Sequence, residues 1–158
     1  MDQDLTGLGG DCESCDICPD SIWNDLEQLD RLARAVSFFV GGQVGVARQS
    51  ASSGAEAGSL KVTMFAFGVA EEMMRLAGIR TRDEEVAKIV YLSMLVGGEH
   101  ADALKLTRLS QTLATDPDMN VFALYGRTAV RMLVREESDA MQMLARALGE
   151  KPRLRQVN

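Results

Sequence analysis

Three cysteines within seven residues, Cys12-x-x-Cys15-x-x-Cys18 followed by Pro19, are the side chains of this sequence best suited to chemistry. Thiolates two residues apart can converge on one ion, so Cys12, Cys15 and Cys18 form a candidate metal or iron–sulfur site. A closed four-ligand site needs a further donor, from His100, a carboxylate or a second chain. The other reading is a reactive thiol cluster that senses redox state. An odd cysteine count so tightly spaced makes no disulfide framework and fits a reducing cytoplasm. Beyond this conditional site no cofactor is expected.

Other chemistry is sparse. His100 is the single histidine, so any nucleophile–histidine–acid arrangement would rest on it, and it falls in a predicted turn between Glu99 and Asp102. Glu71-Glu72 and Glu84-Glu85 are carboxylate pairs, but neighbouring helix residues diverge and cannot share one substrate. Gly41-Gly42 and Gly97-Gly98 lack the flanking residues of a phosphate-binding loop. The chain reads as non-enzymatic.

The 158 residues predict one domain with a real core. Hydrophobic residues make up 46% but aromatics only 5%, and nine methionines join Leu, Ala and Val, a composition that favours helices over sheets. A net charge of −6 argues against general nucleic-acid binding. Residues 1–30 hold nine acids and no Lys or Arg, whereas the remainder holds 14 acids and 17 bases. That reads as a solvated acidic head on a mildly basic body, with docking of the head on a basic surface as the alternative. No stretch of about 18 apolar residues is present, so no membrane span is expected. The start, Met1-Asp2-Gln3-Asp4, lacks the basic and apolar segments of a secretory signal, which points to the cytoplasm.

The elements follow from spacing. Residues 1–19 read as an acidic, cysteine-containing flexible tail. A helical arm over 20–48 carries Trp23, Leu26, Leu29, Leu32, Ala33, Val36 and Phe39 at helical intervals, with Gly41-Gly42 expected to weaken or end it. The small polar stretch 49–59 reads as a linker. A helix from Leu60 to Ala77, apolar nearly all round, ends at Gly78. Its Met64, Phe67, Met73 and Met74 are either core or an adaptable face for a partner helix or a second copy of the chain. Thr81 to Glu84 forms a capping-box pattern, and Asp116-Pro117 opens a later helix. Residues 151–158 are a basic tail. The class is therefore all-α.

A repeat lies within residues 84–152. Ile89, Leu92, Ser93 and Val96 recur 33 residues later as Phe122, Tyr125, Gly126 and Ala129, while Leu109, Leu113 and Pro117 recur 35 residues later as Leu144, Leu148 and Pro152. Paired amphipathic helices at about this period resemble tetratricopeptide (TPR) repeats. The second copy carries the small and large residues of that pattern; the first has Ser93 in place of Gly and Lys105 in place of a small residue. Two units are fewer than a stable stack needs, so the helix at 60–77 is expected to cap the array or add a half repeat. An irregular helical bundle is the alternative. Glu84-Glu85-Val86, Leu92-Ser93-x-Leu95, Ala101-x-Ala103-Leu104 and Leu144-Ala145-Arg146 further resemble the small TPR-like co-chaperones of bacterial type III secretion that hold the needle subunit. That resemblance implies a cytoplasmic chaperone or adaptor. Its groove, at Ile89, Leu92, Val96, Phe122, Tyr125 and Ala129, would take an amphipathic helix of a client and prevent premature assembly. It also implies a small helical co-chaperone, whose place residues 20–48 would take in cis. The alternative function is a metal- or redox-responsive regulator built on the cysteine cluster.

Overall fold

Apolar spacing turns into helix throughout the computed structural model, which describes residues 19–50, 55, 59–113 and 115–149, with the backbone alone at 19–25 and Leu113. The elements are α1 (Pro19–Gln49), α2 (Leu60–Leu76), α3 (Asp83–Val96), α4 (Ala103–Leu113), α5 (Pro117–Val134), a 3-10 turn (Ser138–Gln142) and α6 (Met143–Gly149). No strand occurs among the described residues, and the class is all-α. The cysteine cluster, the basic tail and most of the expected linker lie outside the described residues.

The chain divides into two units, residues 1–31 and 32–158. The first contributes the opening turns of α1, where Glu27 and Arg31, one turn apart and exposed, approach to 3.9 Å. The second holds the core.

From Leu32 onward α1 is a packed element of that second unit. Ala33, Val36, Phe39, Val44 and Ala47 are buried at 3–5-residue intervals, with Gln43 among them. The helix continues through Gly41, Gly42 and Gly45 to Gln49, whereas the glycine pair was expected to weaken or end it. Each helical glycine costs up to about 1 kcal/mol relative to alanine. Buried side chains on both sides of the pair supply tertiary packing that outweighs this cost.

α2 and α5 form the centre. Lys61 Nζ lies 5.8 Å from the centre of the Phe122 ring, the Phe65 carbonyl faces Gly126, and Glu72 reaches Arg131. Partners advance together along both helices, so the two run parallel. They approach backbone to backbone: a Cβ on Gly68 would lie 1.8 Å from the Ala123 carbonyl oxygen, and one on Gly126 would lie 2.2 Å from that of Phe65. Only glycine permits this approach. Every residue from Val62 to Ala70 is buried as a result.

The helices that span the repeat pack as neighbours, α3 with α4 and α5 with the 3-10 turn and α6. Direct contact between α4 and α5 is slight, and α3 and α5 each pack on α2. The helix expected at the edge of the array is thus its hub. This also explains Ser93: its copy in the second unit, Gly126, meets the backbone of α2, whereas Ser93 borders a cleft with room for a side chain.

Three helix ends share one device. Gly78 and Gly98 take positive φ, 75° and 76°, and the next amide reaches back five residues, Ile79 N–H to the Met74 carbonyl and Glu99 N–H to that of Met94, both at 2.9 Å. Glu136 (φ 58°) does the same without being glycine. Asp116 caps α5 by accepting from the Asp118 and Met119 amides, with Pro117 in the first turn. The Thr81–Glu84 capping box does not form: α3 starts at Asp83 after Arg82, and no side chain caps it.

Candidate functional site

The six side chains expected to line one groove differ in burial. Ile89 and Ala129 are fully buried, Leu92, Phe122 and Tyr125 are half-buried, and Val96 is 43% exposed. α2 packs against both α3 and α5, the helices that carry them. A mixed polar and apolar cleft of about 180 Å³ is lined among others by Phe67, Glu71, Asp83, Ser110 and Arg127. Of the two readings of the four residues on α2, core or a face for a partner helix, their burial favours core. Met64, Phe67 and Met74 are buried and Met73 half-buried, because α2 spends its apolar surface on the chain's own helices.

Glu71 and Glu72 diverge as adjacent helix positions must, and each takes its own arginine from α5. Arg127 lies 3.2 Å from Glu71, and Arg131 Nε donates to Glu72 Oε1 at 3.1 Å. Arg75, one turn on, donates to the same Glu72 oxygen. Glu72 is 2% exposed. Burial pushes its carboxyl upward, but hydrogen bonds from Arg75 and Arg131, together with their charges, outweigh burial and hold it below the usual carboxylate value. These groups close the α2–α5 seam and are already committed to one another.

A second contact was missed because Gln43 looks like a polar interruption in an apolar stripe. Its side chain is fully buried; Nε2 donates to the Ala140 carbonyl and Oε1 accepts from the Leu144 amide at 3.0 Å. One amide thereby joins α1 to the start of α6 and satisfies an end group of that helix.

The exposed apolar surface collects elsewhere. Phe38 is 86% exposed on α1, off the buried stripe. A Cβ on Gly97 would lie 3.2 Å from Ser37 Oγ, so the turn of α1 that carries Phe38 passes the end of α3, where Leu95 and Val96 are also exposed. Leu104, 62% exposed, opens α4 after the turn. In the sequence Phe38, Phe39 and Val40 read as one apolar tip, core or partner face with core favoured; the structure buries Phe39 and leaves Phe38, out of phase with the Val36–Phe39 spacing, exposed.

Beside this surface α1, α2 and α3 enclose a trough of about 250 Å³ that includes Arg48 and Glu99. Glu99 is partly buried, which pushes its carboxyl above the usual value. His100, next in sequence, is exposed. Among the described residues no group of three His, Cys, Asp or Glu is placed to hold a metal ion, and no helix is long and apolar enough to cross a membrane. No protein-family model, no curated protein and no solved structure matches this chain.

Proposed function

We propose that this protein is a non-enzymatic chaperone or adaptor that receives an amphipathic helix of a client protein. The observation that supports the reading is the exposure of Phe38 on α1, the most exposed of the large apolar side chains, together with that of Leu95 and Val96 at the end of α3. A phenylalanine left almost fully exposed offers apolar surface that a partner can bury. A helix laying its apolar face there would bury Phe38 as an anchor, the helix-in-groove mode. The receiving surface lies at the ends of α1 and α3, in place of the inter-repeat groove. The resemblance in the repeat region makes a bacterial type III secretion needle-type subunit the client class to test first, in the cytoplasm. Affinity purification from the native host, with partners identified by mass spectrometry, tests this. The reading expects a small protein with an amphipathic helix, which binds again as a synthetic peptide; a captured partner whose helices do not bind as peptides would sink it.

A further inference from the structure

The trough between α1, α2 and α3 has a chemistry of its own, separate from the client reading. Val40, Val44, Val62, Ala66 and Met94 make its apolar lining. Thr63 and Ser93, also on the wall, donate their hydroxyl protons to the carbonyls of Ser59 (2.8 Å) and Val90 (2.7 Å), so they offer a ligand only lone pairs. Glu99 adds a carboxylate that receives no hydrogen bond and no ion pair from any described residue. A carboxylate partly withdrawn from water without a partner is stabilised by an incoming cation.

The one positive group on the trough, Arg48, already donates from Nε to the Ala55 carbonyl at 3.0 Å. It stands eleven residues from Ser37 along α1, about 16 Å at 1.5 Å per residue. Glu99 is at the Ser37 end, two residues past Gly97. Arg48 thus joins the trough from the far end of its α1 wall, with Val40 and Val44 between it and Ser37 along the helix. The volume is below the ~300–1,000 Å³ of drug-sized pockets and suits a short stem. We propose that this trough binds an ammonium group carried on an apolar stem, with Glu99 as its counter-charge and the Thr63 and Ser93 hydroxyls as acceptors beside it. The group arrives either as a free alkylamine or as the lysine side chain of a partner protein.

Amide NMR spectra of the full chain at about pH 8, titrated with n-hexylamine, n-hexanol and N-acetyl-lysine methylamide, test the proposal. Hexylamine is expected to shift the amides of Ser37, Ser93, Gly97 and Glu99 and to bind roughly tenfold tighter than hexanol. Glu99→Gln should abolish that difference, and Glu99→Asp should keep part of it, both with unchanged circular dichroism. Response to the lysine derivative as well as the amine assigns the site to a partner's lysine; response to hexylamine alone assigns it to a free amine. Equal binding of amine and alcohol, no effect of Glu99→Gln, or no shift at any of these amides overturns the proposal.

Discussion

Replacing glycine by alanine should act with opposite sign at two places in this chain. In the middle of a helix the substitution ordinarily stabilises by about 0.5–1 kcal/mol, because glycine loses more backbone entropy on folding. At Gly45 and Gly41 of α1 a Cβ would meet nothing within 4 Å, so this gain should appear in full. At Gly126 the Cβ would stand 2.2 Å from the Phe65 carbonyl oxygen and 2.9 Å from the Val69 nitrogen, both backbone atoms that cannot rotate away. Restoring ordinary contact requires α2 and α5 to separate by about 1 Å, which loosens their whole seam. Overpacking of this kind costs about 1–3 kcal/mol or more, and the propensity gain offsets under 1 kcal/mol of it. The net expectation is a loss of about 2 kcal/mol for Gly126→Ala, or roughly 4–8 °C in melting temperature for a chain of this size. Gly45→Ala should instead gain a few degrees. Urea unfolding followed by circular dichroism gives both values. Stabilisation by Gly126→Ala, or equal destabilisation at Gly45, would refute the close parallel packing of α2 and α5.

Three further outcomes follow from the same geometry. Glu72→Gln should destabilise by about 1–2 kcal/mol, below the ~3–5 of a fully buried pair, since Arg75 and Arg131 keep access to water. Because Glu72 sits below its usual value of 4.5 when folded, its contribution is present above about pH 4.5 and is lost as pH falls toward the folded value. Glu72→Gln should therefore flatten the acid limb of a stability–pH curve, and an unchanged limb would count against the pairing. Gln43→Leu removes the bonds to the Ala140 carbonyl and Leu144 amide and should cost about 1–3 kcal/mol; a neutral effect in urea titration would mean that α1 is not held there. Glu136→Gly should stabilise by about 1 kcal/mol by relieving a left-handed backbone, measured the same way.

The helices were legible because their spacing is a local property: the stripe through Ala33 and Val36, the cap at Asp116 and the stop at Gly78 are read within a few residues. The pairing of helices was not. Gly68 reads as an ordinary helical glycine, and only the crossing with Ala123, 55 residues away, gives it a role. The arginines of α5 likewise look like solvated charges until Glu71 and Glu72 face them. Ile89 and Ala129 were apolar at the right period, but periodicity marks a face without saying whether the chain or a partner covers it. Phe38 carried the opposite signal, an aromatic residue out of phase with its neighbours.

The reading of this protein as a client-binding module is tested most directly by titrating a fluorescent peptide of the client helix against the wild-type chain and against Phe38→Glu and Val96→Glu, each checked for retained helix content. Burial of Phe38 contributes about 1.5–3 kcal/mol, so Phe38→Glu should weaken binding roughly tenfold or more, with Val96→Glu in the same direction. Unchanged affinity in both folded variants would contradict the account.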